Sequence, residues 1–211
     1  MSQAMLIQQV TLVNEGQIQV TDVLIEGERI QKIGSIPAQD QYHLVDGRGM
    51  YLFPGVIDGQ VHFRDPGLTH KADLTSESKA AIAGGVTSFI EMPNTRPNTL
   101  TLELWADKYE LASTKSLANY GFLLGITADN LDEVIKWDTS KHLAITDDGL
   151  YFTGKGNILA DQPAMLEKLF AAHKGLIAIH SEKEEIIEKN EELYREKYGE
   201  NVPIALSLIH I

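Results

Sequence analysis

Apolar and polar residues alternate along the stretch that follows Pro54, and this pattern predicts a strand with one polar face. The apolar pair Val56 and Ile57 is followed by polar residues at every second position: Asp58, Gln60, His62 and Arg64. Period-two spacing places such residues on one face of a strand. A turn signal then follows at residues 65–67. Polar groups at the C-terminal end of a buried strand are typical of a barrel active site. The alternative is a strand with a polar edge and a histidine in the core.

The first 53 residues predict a small antiparallel β domain. Residues 5–12 and 18–33 are rich in β-branched side chains, and Gly27 interrupts the second run as a hairpin turn would. Short strands are expected around Val45 and at residues 51–53. These strands are too few to close a core alone, so we expect this domain to need partners from elsewhere in the chain.

From residue 54 onward, strand patterns alternate with helix patterns. Strands are expected at 56–62, 86–90, 119–126, 142–146 and 176–179. Helices are expected at 71–84, 102–111, 162–173 and after Ser181. Asn130 with Glu133, and Ser181 with Glu184, have the spacing of helix capping boxes. Such repeats indicate an α/β fold with a parallel sheet. A complete TIM-type (β/α)8 barrel takes about 250 residues, so residues 54–205 predict the N-terminal portion of an incomplete barrel.

Composition narrows the classes of protein to consider. The 211 residues are 43% hydrophobic, which is enough for a sizeable core. The net charge of −12 argues against nucleic acid and anionic membranes as partners. There are no cysteines, so disulfides and thiolate metal sites are excluded. No signal-peptide pattern and no apolar run of about 20 residues is seen, and we expect a cytoplasmic protein.

The last six residues, 206–211, break the pattern of the preceding chain. They follow no turn or cap signal, and they read like a sequencing adapter translated in frame. We therefore expect residues 206–211 to be a non-native tail joined to a fragment of a longer protein. An ordinary C-terminal strand is the alternative.

Three residues at predicted strand ends have side chains of the types that can bind metals: His62, Asp148 and His180. Imidazole and carboxylate groups suit zinc or a similar divalent ion. The planar guanidinium of Arg64 suits a substrate carboxylate, and Asn94 offers an amide after the second barrel strand. Each has a simpler interpretation: residues 147–149 could be only a turn, and His180 could simply precede a helix.

Five motifs occur together in the second part of the chain: Val61–Gly67, Gly84–Thr87, Met92–Thr95, Thr146–Gly149 and His180–Glu182. On these motifs the chain resembles the dihydroorotases of the amidohydrolase superfamily. Allantoinases and hydantoinases are similar, but they do not usually place an arginine where Arg64 stands. A related cyclic amidase acting on hydantoin or allantoin is therefore an alternative.

The resemblance implies a metal-dependent barrel beside a small β-sandwich domain built from both chain ends, with residues 1–53 as its N-terminal part. It implies the reversible hydrolysis of dihydroorotate to carbamoyl aspartate in pyrimidine biosynthesis, with one or two zinc ions. By position, His62 would bind the first metal, Asp148 would bridge, and His180 would bind the second. Arg64 and Asn94 would hold the substrate carboxylate. The partners of the protein would be its substrate, dihydroorotate or carbamoyl aspartate, and other copies of the same chain in a homo-oligomer.

Two departures from the family pattern affect these expectations. Gln60 stands where the family usually has the first histidine of its strand motif, and a glutamine oxygen is a weaker ligand than imidazole. A further histidine ligand and the catalytic aspartate would fall near or beyond the end of the chain. We therefore expect no catalytic acid–base residue within these 211 residues and no activity of this piece alone. Gln60 also motivates an alternative, a non-catalytic scaffold that supports a partner enzyme.

Overall fold

A computed structural model of the chain describes residues 3–141, 144–147, 162–179, 184–201 and 203. The chain divides into two units, Met1–Gly55 and Val56–Ile211. Each unit has its own strands and its own buried side chains, and each is described by itself below.

The first unit is one five-stranded sheet. Its strands are β1 (Met5–Asn14), β2 (Gln17–Glu26), β3 (Arg29–Gly34), β4 (His43–Asp46) and β5 (Tyr51–Leu52). The order is β3-β2-β1-β4, and β5 also pairs with β1. The hairpin predicted at Gly27 is confirmed, because β2 and β3 are antiparallel and Gly27 has a φ of +59°.

The expectation of a purely antiparallel first domain is wrong. β1, β2 and β3 are antiparallel, but β4 and β5 both run parallel to β1. Parallel neighbours need a crossover connection. Residues 35–42 supply it by carrying the chain from β3, at one edge of the sheet, to β4, which pairs with β1. Asp22 anchors this connection, because its carboxylate accepts the Ile36 N–H at 3.0 Å and the Gln9 N–H at 2.9 Å.

The core of the first unit is small. Leu6, Leu24 and Ile36 are buried together. Large apolar side chains stay exposed elsewhere in the unit, among them Ile18, Val20, Ile30, Tyr51 and Phe53. The five strands therefore bury one limited cluster and leave much apolar surface uncovered.

The second unit alternates strands and helices. Its strands are β6 (Val56–Val61), β7 (Val86–Glu91), β8 (Asn119–Phe122), β9 (Leu124–Gly125), β10 (Ala144–Thr146) and β11 (Leu176–Ala178). Its helices are α1 (Leu74–Ala83), α2 (Leu102–Lys115), α3 (Leu131–Val134), α4 (Pro163–Ala172) and α5 (Glu184–Tyr198). The strand pairs are parallel and follow chain order, β6-β7-β8 and β9-β10-β11. Only Leu123 separates β8 from β9. The predicted mixed α/β architecture with parallel strands is confirmed.

The helix boundaries come from local caps that the sequence carries. Asp73 caps α1 by accepting the N–H groups of Thr75 and Ser76. Gly85, with a φ of +88°, follows the helix, as expected for a C-terminal glycine. Thr101 caps α2, which continues to Lys115, beyond the predicted end at residue 111.

The capping box predicted at Asn130 is wrong, because the Asn130 side chain makes no cap hydrogen bond to α3. Its Oδ1 instead accepts the Thr127 N–H at 2.8 Å, and its Nδ2 donates to the carbonyls of Leu100 and Gly125. Asn130 therefore ties the loop after β9 to the loop before α2. The other predicted cap, Ser181, lies outside the described residues.

The core of the second unit contains a small apolar cluster of Met92, Leu123 and Ala144 and two larger clusters. One lies around β6, β7 and β8 and consists of Phe63, Leu74, Phe89, Ala112, Ala118 and Phe122. The other lies around β9 and β10 and consists of Leu124, Ile126, Leu131, Val134, Ile145 and Leu169. Trp105 of α2 packs against both clusters and donates from Nε1 to the Phe122 carbonyl at 3.0 Å. Within the described residues, no helix has the length and apolarity required to cross a membrane.

Candidate active site

His62 lies one residue after β6, and its imidazole is paired with Asn94 from the loop after β7. His62 Nδ1 is 2.8 Å from Asn94 Oδ1. An amide oxygen can only accept, so His62 Nδ1 is the donor of this hydrogen bond. Asn94 is buried and His62 is half-buried. An imidazole held in this way is the usual arrangement of a metal-ligating histidine, whose other nitrogen is oriented by an oxygen acceptor.

The strict alternation predicted from Asp58 to Arg64 is wrong. The pairing of β6 with β7 shifts between Asp58 and Val61, so that three steps along β6 match two along β7. Such a bulge breaks period-two placement and re-aims the side chains that follow it. The Gln60 N–H donates to the Asp58 carboxylate at 3.1 Å within this bulge, and the Gln60 side chain is exposed.

Arg64 adopts a left-handed backbone conformation, with a φ of +69°. This conformation is uncommon for a residue other than glycine, asparagine or aspartate. Two hydrogen bonds hold it: the Arg64 N–H donates to Glu91 Oε1 at 3.0 Å, and the Arg64 carbonyl accepts the Leu68 N–H at 3.0 Å. Its Nη1 is buried and has no hydrogen-bond acceptor in the part of the chain that the structure describes. A buried donor of this kind needs an acceptor.

Glu91, the last residue of β7, pairs with Lys108 of α2. Glu91 Oε2 lies 2.9 Å from Lys108 Nζ, and the two side chains are 1% and 2% exposed. Burial raises the pKa of the Glu91 carboxyl above its ordinary value, against the opposing effect of Lys108. Burial likewise lowers the pKa of the Lys108 ammonium, against the opposing charge of Glu91. Both groups therefore bear a desolvation cost that each partly offsets for the other.

The loop after β6 is also fixed at Asp65 and Gly67. Asp65 is buried and lies 2.8 Å from Lys115 Nζ. At Gly67, with a φ of +84°, an added Cβ would stand 2.1 Å from the Arg96 carbonyl oxygen. The Arg96 N–H donates to the Pro66 carbonyl at 3.1 Å. The loops that carry Arg64 and Asn94 therefore dock directly on each other, which only glycine at position 67 permits.

The structure brings together some of the predicted site residues. His62 and Asn94 are in contact, and Arg64 follows in the same loop as His62. Asp148 and His180 lie outside the described residues, so their metal-binding roles stay predictions. Asp147 directly follows β10 and is buried. Within the described ranges, no group of three or more His, Cys, Asp or Glu residues could hold a metal ion.

Glu91 and Lys108 were missed by the sequence reasoning. A signal for Glu91 was present, because it is the one charged residue in the apolar run Val86–Glu91 and directly precedes Met92. Lys108 gives no such signal, since lysine is an ordinary residue on a helix surface. Only the contacts of Lys108 with Glu91 and with the Met92 carbonyl in the folded chain show that both are buried.

The dihydro-orotase-like family model matches residues 49–191, which is more than half of the chain. The chain belongs to this family. Residues 49–191 contain all five motifs on which the resemblance was recognised.

Individual members of this and related families support the same placement. The dihydroorotase of Lactococcus lactis is 35% identical over 177 residues, which are 80% of this chain and 40% of that protein. The allantoinase of Deinococcus radiodurans is 39% identical over 114 residues, or 54% of this chain and 25% of that one. The structure is similar to that of L-hydantoinase (dihydropyrimidinase) from Arthrobacter aurescens, with a TM-score of 0.71 and 25% identity over 92% of this chain and 44% of that chain. The dihydro-orotase-like chain thus spans less than half the length of these relatives.

Proposed function

We propose that the intact protein is a metal-dependent cyclic amidase that hydrolyses dihydroorotate to carbamoyl aspartate and catalyses the reverse ring closure. Membership of the dihydro-orotase-like family supports this reaction class. We further propose that β6–β11 make five consecutive strands of a TIM-type (β/α)8 barrel, with β8 and β9 as two parts of one strand, and that residues 1–53 belong to a β-sandwich completed by later parts of the protein. The parallel, in-order strand pairing supports the barrel.

The observation that carries the substrate assignment is the buried Nη1 atom of Arg64. Its Nη1 is a buried donor without an acceptor among the described residues, and a substrate carboxylate is the acceptor that a guanidinium binds best. Dihydroorotate and carbamoyl aspartate carry such a carboxylate. The Asn94 amide nitrogen has two further N–H donors, and we assign them to the same carboxylate.

The residues at this end of the sheet fit a metal, although no full ligand set lies among the described ones. His62 would bind through Nε2, because Nδ1 is held by Asn94. Asp148 and His180 are the further ligands that we propose. Zinc or a similar divalent ion would supply a Lewis acid that activates water near neutral pH. The chain itself contributes the orientation of the His62 ring and the docked loops that hold Arg64 and Asn94.

The test is an assay of the intact protein with added zinc. We expect ring closure of carbamoyl aspartate, and we expect Arg64→Ala to raise KM strongly because the carboxylate loses its charged partner. Arg64→Lys is the matched control: it keeps the charge but loses the planar fork, so it should recover part of the affinity. Absence of turnover with every divalent metal tried would reject the proposed reaction.

Assays of the parent protein and its variants also test two other candidate functions. The similarity to an allantoinase and to a hydantoinase structure motivates a second candidate, a cyclic amidase that acts on another substrate. An unchanged KM for dihydroorotate in Arg64→Ala would support that candidate. A non-catalytic scaffold is the third candidate, motivated by Gln60. Gln60→His would then create activity where the parent protein has none.

The cellular setting follows from the proposed reaction. We propose a cytoplasmic enzyme whose partner is its small-molecule substrate, with no nucleic acid or membrane partner. We further propose that the intact protein forms homo-oligomers. Residues 206–211 lie outside the described residues, and their non-native origin stays a prediction that the genomic reading frame after Ala205 would check.

A further inference from the structure

The Glu91–Lys108 ion pair is the most buried charged pair among the described residues, and the proposed reaction gives it no role. Both side chains are at most 2% exposed. Lys108 Nζ also donates to the Met92 carbonyl at 3.2 Å and lies 4.8 Å from the centre of the Phe122 ring. Burying an ion pair costs several kcal/mol per ion before its attraction is counted, so stability alone does not explain such a pair.

The two oxygens of Glu91 have different partners. Oε2 faces Lys108, whereas Oε1 accepts the backbone N–H of Arg64. Lys108 therefore offsets the charge of the carboxylate and fixes its orientation, and the other oxygen is left aimed at one backbone group. The pair connects α2, the end of β7 and the loop after β6.

The backbone of Arg64, whose N–H donates to Glu91 Oε1, is in a strained conformation. Arg64 has a φ of +69°, and a non-glycine residue in this region carries strain of about 1–3 kcal/mol unless its surroundings hold it there. The direction in which the guanidinium leaves the backbone depends on this conformation. A relaxed loop would carry the guanidinium to another position even though Arg64 itself remained.

Helix α2 supports the same loop at a second point. Lys115 stands seven positions after Lys108, two helical turns along the same face. Its Nζ lies 2.8 Å from the carboxylate of Asp65, the residue after Arg64. The two lysines of one helix face thus hold two acidic residues that contact or adjoin Arg64.

We propose that Glu91 and Lys108 are positioning residues for Arg64: the buried pair fixes the left-handed Arg64 turn and thereby places the guanidinium for the substrate carboxylate. The substrate part of this inference rests on the proposed function. The part that concerns the Arg64 turn does not, because it is defined by hydrogen bonds present without substrate.

The decisive variant combines Glu91→Leu with Lys108→Met in the intact, metal-loaded protein. Replacing a buried ion pair by apolar residues of similar volume is often neutral or stabilising, so this variant should fold while the Arg64 N–H loses its acceptor. We expect KM for dihydroorotate to rise about 100-fold, the scale of a misplaced binding group, with a much smaller change in kcat. Leu169→Ala, a core variant far from Arg64 in the chain, is the matched control for general destabilisation and should leave KM near its parent value.

Two further measurements separate positioning from structure. In an Arg64→Ala background, the double variant should raise KM little more, because residues that act through one group are not additive. Hydrogen exchange of the Arg64 amide, read in protein labelled with ¹⁵N-arginine, should lose its protection in the double variant and keep it in Leu169→Ala.

The outcomes decide between the two levels of the inference. An active parent protein whose KM does not change in the double variant would overturn the positioning role. A parent protein inactive on dihydroorotate would reject the proposed function. Hydrogen exchange of the Arg64 amide would then test whether the ion pair holds the Arg64 turn. Retained protection in the double variant would overturn that role, and lost protection would support it.

Discussion

The second unit contains two regions that are stabilised in different ways. The first region, residues 56–122, packs an ion pair, Glu91–Lys108, against its aromatic core. The second region, the described residues of 124–179, has a core cluster whose buried members are all aliphatic, with Trp105 and Trp137 packed against it; Asp147 at the end of β10 is also buried. Apolar packing stabilises a fold without specifying the conformation of a particular loop, whereas a buried charge must be paired in one geometry. Among the described residues, the buried ion pair therefore lies in the region whose loops hold Arg64 and Asn94.

The largest expected effect is in the first region. Lys108→Met should destabilise the intact protein by about 3–5 kcal/mol, because it leaves Glu91 buried without its charged partner. Urea unfolding measures the loss. Adding Glu91→Leu should recover most of it; a double variant as unstable as the single one would show that Lys108 contributes packing rather than charge compensation.

In the second region, Leu169→Ala should cost about 2–5 kcal/mol, since Leu169 is fully buried in the aliphatic cluster. The same urea experiment measures it. The loss should come without a change in substrate affinity, in contrast to the ion-pair variants. An equal rise in KM would mean that the two regions are not energetically distinct.

Asn130 joins the two regions, and Asn130→Ala should cost about 1–3 kcal/mol. It would leave the carbonyls of Leu100 and Gly125 and the Thr127 N–H without their present partner. Asn130→Asp is the informative control, because it keeps the acceptor for Thr127 but removes both donors. If Asn130→Asp were as stable as the parent protein, the two carbonyl contacts would not matter.

The smallest expected effect concerns the start of α1. The Ser76 and Thr75 N–H groups lower the pKa of Asp73 below its ordinary value of 3.8. A lowered folded-state pKa adds stability above pH 3.8 that is lost as the pH falls through the folded value. Asp73→Ser keeps a cap but cannot titrate, so the parent protein should lose stability relative to this variant as the pH falls below about 5 and through the lowered pKa of Asp73. Parallel pH profiles would contradict this.

Much of the second unit could be predicted because its signals are local. The strand at Val86–Glu91, the helix starting at Leu102 and the break at residues 93–97 follow from apolar runs and turn residues. The parallel pairs of the first unit could not be predicted, since strand direction depends on how residues 35–42 cross. The Asn130 cap failed for a similar reason: its side chain found partners 30 and 5 residues away rather than in its own helix.

The candidate site divides in the same way. His62, Arg64 and Asn94 could be proposed as site residues from the sequence because rare polar residues at strand ends are visible one by one, and the motifs around them identify the family. The Glu91–Lys108 pair and the Asp58–Val61 bulge were not found, because each depends on which segments meet in space.

The sequence by itself determined the alternation of strands and helices, the family and the residue types available for chemistry, since these are written in local patterns of polarity and in short motifs. Only the tertiary structure decided that the Arg64 turn is left-handed, that a buried carboxylate holds its N–H, and that Asn94 orients the His62 ring. Each of these is a contact between segments about 30 positions apart or an effect of such a contact, and the free energy of burying a charge depends on the partner that folding brings to it.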